Sequence, residues 1–324
     1  MSAGRTALAS GDGGGQTGTE ASAETSEKAP PPETESKGEH APAIMVGVDG
    51  VLGWGKVPFA VQNLPVTGTP GITYTRQDRT ESDVQSILFL ASAEVHEHLG
   101  VELRAPLTFA TFSPDGSASR STTAFGNLEL AGEYAAPLGH HLRLVTSLGL
   151  ALPTATGTAV PAGLTNAPAS SVDSTAFDRW SLSRAAAMAR GFEDNALFEP
   201  ERFGIVPRVA LAWRHRGLSI EPYVKVENLV GTSKSLDASY VGEIVGGVRV
   251  GYWVQHRFEI VLKGWVNGGF AGTSDDKTTA VAIEPQFLMR FGPVLPYVGV
   301  ILPLAGPPSD GNFVGVRVGV AARF

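Results

Sequence analysis

The chain has 324 residues, 43% hydrophobic and 18% charged, with 39 glycines, no cysteine and a formal net charge of −7. Zero cysteine excludes a disulfide framework, a thiolate metal site, a cysteine nucleophile and an acylated-cysteine anchor, and a pI near 5.5 argues against nucleic acid as a partner. No stretch approaches the ~18 uncharged apolar residues of a membrane helix; low charge with abundant glycine leaves a transmembrane β-barrel or a soluble all-β protein.

Residues 1–42 read as a separate, disordered low-complexity segment. Gly11 to Gly18 is glycine-rich, Ala29 to Lys37 reads A-P-P-P-E-T-E-S-K, and little apolar surface is available to bury. A solvated linker is the plain reading of it, and a partner-binding tail the functional one. The opening M-S-A-G-R-T-A-L-A-S lacks the apolar run of a secretory signal. An export signal therefore lies upstream, has been processed away, or is not used.

From residue 43 to 324 the chain reads as strands: 44–54, 84–96, 99–112, 124–136, 141–152, 204–216, 218–229, 239–253, 257–268, 280–291, 294–304 and 312–324. Most of these lengths suit a tilted crossing of a bilayer. Tight turns at Glu97-His98, Pro137 to His140, Gly217, Val254 to His256 and Gly292-Pro293 alternate with long links at 55–83, 113–123, 153–203, 230–238, 269–279 and 305–311. Short periplasmic turns alternating with long extracellular loops are the mark of an outer-membrane barrel. An even number of strands puts both ends of the barrel on the short-turn side. The expected fold is an all-β, antiparallel, up-and-down transmembrane barrel of about 12 strands.

Side-chain parity tests this reading. Side chains alternate between the two faces of a strand, and a charge facing lipid costs roughly 2–4 kcal/mol at mid-bilayer. Charges within each strand share parity: Glu102 and Arg104; Glu129 and Glu133; Arg208 and Arg214; Glu221, Lys225 and Glu227; Glu243 and Arg249; Glu259 and Lys263; Glu284 and Arg290; Arg317 and Arg323. With Arg143, and leaving aside Arg323, these are the candidate lumen-lining residues. The opposite parity is apolar, as in Leu99, Val101, Leu103, Ala105, Leu107 and Phe109. Parity does not say which face points inward; the segregated loops do. Pro106, Pro207, Pro222, Pro285 and Pro296 lie inside spans and mark bulges or weak points, because proline lacks the ladder donor.

The last strand, F-V-G-V-R-V-G-V-A-A-R-F, puts Val318, Val320, Ala322 and Phe324 on one face. It resembles the C-terminal recognition signal of bacterial outer-membrane proteins, which implies the assembly machinery as a partner. Tyr134, Trp213, Trp253, Phe291 and Phe324 fall near the short-turn ends, and Trp54, Phe109, Phe112, Phe125, Phe203 and Trp265 toward the long-loop ends. Two aromatic girdles are expected from this, or rings that fill the lumen.

The 153–203 link, an extracellular loop on this reading, is too long for mere connection. A helix is expected over 175–190, capped by Ser174 or Asp178 and ended by Gly191. Arg179, Trp180, Arg184 and Met188 would form a constriction folded into or over the mouth. Six of the seven histidines lie at or beside short turns, where polar turn residues are expected rather than a metal site. No G-x-S-x-G or Gly-rich phosphate loop is present. No catalytic residue, metal or cofactor is expected.

One stretch carries a family resemblance. Phe125-Gly126-Asn127-Leu128-Glu129-Leu130-Ala131-Gly132-Glu133-Tyr134 resembles the G-D-L-x-L-x-x-K-Y segment of the outer-membrane family linked to meta-pathway phenol degradation. Leu148 to Thr154, with Gly157, resembles that family's next strand and its L-P-T-G exit. Asn127 stands for the usual acid, Glu133 for the usual base, and Ala155-Thr156 are inserted before the glycine. The resemblance implies an outer-membrane barrel that passes hydrophobic or aromatic small molecules. The expectation is a monomeric barrel in outer-membrane lipid, carrying a small solute past a loop constriction. The rivals are a plugged barrel acting as an anchor, a lipid-modifying enzyme and an autotransporter-like translocator.

Overall fold

The computed structural model describes residues 43–63, 73–113, 118–156, 174–232, 239–255, 257–272 and 279–324. The segment 1–42, residues 157–173 of the long loop and His256 lie outside the described residues. In chain order the elements are β1 (Ile44–Asn63), β2 (Thr73–His96), β3 (Leu99–Ser113), β4 (Arg120–Phe125), β5 (Leu128–Pro137), β6 (Leu142–Leu152), α1 (Ser174–Ala189), a 3-10 turn (Asn195–Leu197), β7 (Arg202–His215), β8 (Leu218–Gly231), β9 (Tyr240–Val254), β10 (Phe258–Ala271), β11 (Thr279–Met289), β12 (Val294–Ala305), α2 (Pro307–Asp310) and β13 (Val314–Arg323).

Sequential strands pair antiparallel, and β13 returns to β1 from Met45↔Arg323 to Trp54↔Val314. The result is a closed antiparallel barrel of twelve strands with one extra strand. The seam is finished by Ile44 N donating to Phe324 O at 3.1 Å and Phe324 N donating to Ile44 O at 2.8 Å. Closure leaves the wall without an edge along the spans, which an open sheet in hydrocarbon could not sustain. Among the described residues no helix is long and apolar enough to cross a membrane.

Burial decides which face is inside. Leu130, Leu148, Val209, Ile260, Leu262 and Val298 project outward and are exposed, while Glu129, Glu227, Glu259, Glu284 and Arg317 on the opposite parity are buried. The apolar face is therefore the outer one. Val318, Val320 and Phe324 also face outward, Phe324 with 76% of its surface exposed.

Three element readings change. The 55–83 link is mostly strand: β1 and β2 stay paired past Val57↔Thr80 to Asn63↔Thr73. That outer ribbon carries the T-Y-T-R-Q-D-R-T run, which lacks the apolar alternation of a lipid-facing strand, so the sequence did not mark it as one. The 113–123 link contains β4. The 124–136 strand is broken between Phe125 and Leu128, so that β3 pairs with β5 from Leu99↔Tyr134 to Arg104↔Glu129 and with β4 from Leu107↔Phe125 onward. Pro106 sits where β3 changes partner, and its carbonyl accepts from Gly126 N at 3.0 Å. A side chain on Gly126 would strike the Leu197 carbonyl and the Pro106 ring, so this corner needs glycine. Of the ring residues, Phe112 and Trp265 face inward and are buried rather than forming part of a girdle.

Candidate functional site: a plug and a vestibule inside the barrel

Helix α1 enters the barrel. Its Leu182, Ala185, Ala186 and Ala189 are buried in one apolar cluster with Val51, Val84, Leu88, Phe112, Ala124 and Phe313 of the wall and its links. Small residues permit the close approach: a Cβ on Gly53 would lie 2.7 Å from Ala189 Cβ. The helix ends on paired turn bonds, Phe192 N to Ala187 O at 2.8 Å and Gly191 N to Met188 O at 2.9 Å. This is a Schellman stop with Gly191 at φ 64°. The stop redirects the chain, so G-F-E-D-N-A-L-F (191–198) crosses the lumen, buried throughout.

The charged and amide side chains of this crossing, and several of its backbone groups, meet wall partners, although Glu193 Oε2 and Asn195 Oδ1 are buried without a hydrogen bond. Arg190, with no exposed surface, donates through Nη1 to Asp49 Oδ2 at 2.7 Å and through Nε to Ser86 Oγ at 3.1 Å. Asp49 also accepts from Tyr297 Oη at 2.8 Å, and Arg317 lies 3.6 Å from it while donating to Glu284 at 2.7 Å. Arg104 bridges Asp194 at 3.0 Å and Glu129 at 2.6 Å. Glu193 pairs with Lys263 and accepts from Tyr223 Oη at 3.2 Å; its carbonyl accepts from Lys225. Lys225 also pairs with Glu227 at 2.7 Å. The turn residues Asn195 and Ala196 donate to Glu243 at 2.6 Å and to Glu227 at 2.8 Å. Asn267 donates to the Phe192 carbonyl at 2.7 Å, and Trp265 to the Gly191 carbonyl at 2.8 Å.

Burial pushes the Glu193 and Asp194 carboxyls up, but the facing cations outweigh it. Lys263 brings Glu193 down to about 2, and Lys225 and Arg104 hold Asp194 well below the usual carboxylate range. Both are ionised at neutral pH. Lowered values stabilise the docked state above the ordinary carboxylate range, and that contribution fades as pH falls through about 2.

Below the plug, toward the short turns, lies a second group of inward-facing charges, termed the vestibule. Arg208 pairs with Glu221 at 2.7 Å and Arg249 with Glu259 at 2.8 Å. Arg290 lies over the Trp253 ring at 5.1 Å, and Arg323 lies 3.3 Å from Glu94. Glu102, Glu133 and Arg214 are half-buried here and Arg143 is exposed.

The sequence-derived lumen set thus divides in two. Arg104, Glu129, Lys225, Glu227, Glu243, Lys263, Glu284 and Arg317 surround the plug, and Glu102, Glu133, Arg143, Arg208, Arg214, Glu221, Arg249, Glu259 and Arg290 line the vestibule. Of the four constriction residues, Met188 is buried; Arg179, Trp180 and Arg184 are half-buried, with Arg184 donating to Glu199 at 3.2 Å. Asp178 does not cap α1 but accepts from Arg120 at 3.3 Å. The deepest plug contacts belong to Arg190, Glu193, Asp194 and Asn195, which were not in that set. Asp49 was also missed, although a lone acid in an apolar strand was a usable signal. Among the histidines, the His141 and His215 rings lie 4.6 Å apart. Among the described residues no group of three or more potential ligands could hold a metal.

Asn127, at the break in the wall, ties wall to plug. Its Nδ2 donates to the carbonyls of Ala196 at 2.9 Å and Glu199 at 2.7 Å, and its Oδ1 accepts from Ala155 N at 2.9 Å. Asn127→Asp keeps the shape but turns both donors into an acid facing carbonyls. The expected cost is about 2–4 kcal/mol of unfolding free energy, since two buried acceptors lose their donor. Urea titration of the refolded barrel measures it; an unchanged midpoint would show that the tie carries no load.

No protein-family model and no curated protein matches the chain. Among solved structures, an outer membrane channel from Pseudomonas putida F1 superposes with a TM-score of 0.58 at 12% identity, covering 92% of this chain and 100% of that one. The KdgM porin gives 0.42 at 9% identity, covering 86% and 99%. The CymD monoaromatic hydrocarbon channel gives 0.37 at 10%, covering 87% of each. The chain shares its fold with an outer membrane channel.

Proposed function

We propose that this chain is a gated channel of the bacterial outer membrane, a monomer that passes small solutes with an apolar or aromatic body. The observation that carries this reading is the plug: a loop-borne segment fills the lumen above a second layer of inward-facing charges. A segment carried on the long link between β6 and β7 can leave as a unit, whereas side chains rooted in the wall cannot. The seam between plug and wall is rich in rings, namely Phe112, Phe192, Phe198, Tyr223, Trp265 and Phe313, which supports an aromatic or apolar cargo. Passage requires no covalent chemistry. The outward faces of Val318, Val320, Ala322 and Phe324 support their reading as an assembly signal, and residues 1–42 are proposed as a solvated tail.

A disulfide lock tests the gate, and the absence of native cysteine makes it clean. A Cβ built on Gly204 of β7 lies 3.6 Å from Ala196 Cβ in the plug, within disulfide range. In planar bilayers the Ala196→Cys/Gly204→Cys protein should open under voltage when reduced and stay shut when oxidised. A wild-type protein that is folded yet never passes current or solute would replace the channel reading with that of a plugged anchor, which the buried ion pairs around the plug would then explain.

A further inference from the structure

Two histidines meet on the short-turn rim. His141 closes the connection from β5 to β6, and His215 ends β7. Strands β6 and β7 are neighbours, so these two turns stand side by side. Leu142 faces Trp213 in the last rung of their ladder, and just beyond it Arg214 N donates to the His141 carbonyl at 2.9 Å. Each turn is also closed on its other side. Leu138 N donates to the Leu142 carbonyl at 2.9 Å, and His215 faces Leu218. The backbone therefore holds both imidazoles in place. Their rings lie 4.6 Å apart at 66°, with His141 exposed and His215 half-buried.

A polar residue suits a turn, which accounts for each histidine singly. It does not account for two imidazoles set this close. Two rings that bind one metal ion through nitrogens at about 2.0–2.1 Å, at right angles or tetrahedrally, have centres about 4.5–5.2 Å apart. The 4.6 Å pair falls inside that span, whereas His96 and His98, at 6.4 Å, fall outside it. Arg214, between Trp213 and His215, has the parity of Arg208 and so faces the interior. Its charge lies across the wall from the His215 ring. We propose that His141 and His215 form a site for a divalent transition metal ion of the Cu²⁺, Ni²⁺ and Zn²⁺ class, with Cu²⁺ held most tightly. Water fills the remaining positions, so the ion binds reversibly. When bound, it ties the β5–β6 and β7–β8 connections together. This site does not depend on whether the barrel conducts.

The indole of Trp213 supplies the readout, because its ring lies 6.1 Å from that of His215. An open-shell ion held by the pair quenches its emission. Untagged full-length protein refolded in micelles is titrated with Cu²⁺, in buffer alkaline enough to keep free imidazole neutral. Quenching should saturate, excess Zn²⁺ should reverse it, and Mg²⁺, which takes oxygen ligands, should cause none. His141→Ala and His215→Ala should each weaken Cu²⁺ binding at least about tenfold, since losing even a supporting residue costs a metal site that much. Trp213→Phe should remove most of the quenching and leave the calorimetric affinity unchanged, and His98→Ala should alter neither. Zn²⁺ should raise the melting temperature of the wild type and not that of the His215→Ala protein. No saturable binding, an equal response to Mg²⁺, or the same loss with His98→Ala as with His141→Ala and His215→Ala would overturn the site. Quenching that survives Trp213→Phe in full would put the ion elsewhere on the chain and overturn it too.

Discussion

Replacing residues 175–199 by a short Gly/Ser linker is expected to turn a shut barrel into a conducting one. That segment holds nearly all of α1 and the whole lumen crossing, and the groups it would leave on the wall are ones that water can satisfy: Asp49, Arg104, Lys225, Glu227, Glu243 and Lys263. A ring of twelve strands lies between the sizes filled by side chains and those that hold an aqueous pore. The steady current should exceed that of the intact chain by roughly tenfold or more once the lumen floods. The apolar residues that packed on α1, among them Val51, Leu88 and Phe112, will lose their cover, so the shortened protein should melt at a lower temperature even as it conducts. A folded, shortened barrel that stays silent would mean that side chains of the wall alone close the lumen, and the gate would have to be sought there.

Arg190→Met is expected to loosen the plug without emptying the barrel. Arg190 joins the end of α1 to Asp49 and Ser86, and both members of the ion pair are fully buried. Removing one partner of a buried pair costs about 3–5 kcal/mol, because the charge left behind has no water to return to. Asp49 would keep Tyr297 and the more distant Arg317, which places the cost nearer about 3 than 5 kcal/mol. Brief openings should appear in bilayer recordings, and protease should cut within 190–199 at concentrations that spare the wild type. Asp49→Asn combined with Arg190→Met should recover part of the loss, since the orphaned charge is then gone. A double variant as unstable as the sum of the two single ones would show that the pair does not act as a unit.

The wall was legible because each strand carries its own evidence. Charge parity in strands such as Glu221, Lys225 and Glu227, set against outward Val224, records the difference between lipid and lumen residue by residue. The same rule assigns Phe112 to the face of Glu102 and Arg104, and Trp265 to that of Glu259 and Lys263; a girdle role for these two rings contradicted their own parity. The reach of β1 and β2 was not legible, since their outer ladder carries no apolar alternation in the sequence. Strand β4 escaped notice because the break at Gly126-Asn127 depends on where β3 changes partner. A helix over 175–190 could be read from its alanines and Gly191, and α1 occupies Ser174–Ala189. The contacts that hold it in the lumen could not be read, because Arg190 and Asp49 are 141 positions apart. Nothing in the sequence singles out Glu193 and Asp194, because their partners Lys263, Lys225 and Arg104 reach them from distant strands.

The hydrogen-bonded meeting of Ile44 with Phe324 means that the wall does not depend on where its chain is cut. A circular permutant that joins these two positions by a short linker, and begins instead in one of the long links, would preserve every rung of the barrel. It would, however, bury the terminal aromatic residue within a continuous chain. Such a molecule would measure separately the thermodynamic stability of the finished ring, which depends only on which strands are neighbours, and the proposed part of Phe324 in assembly.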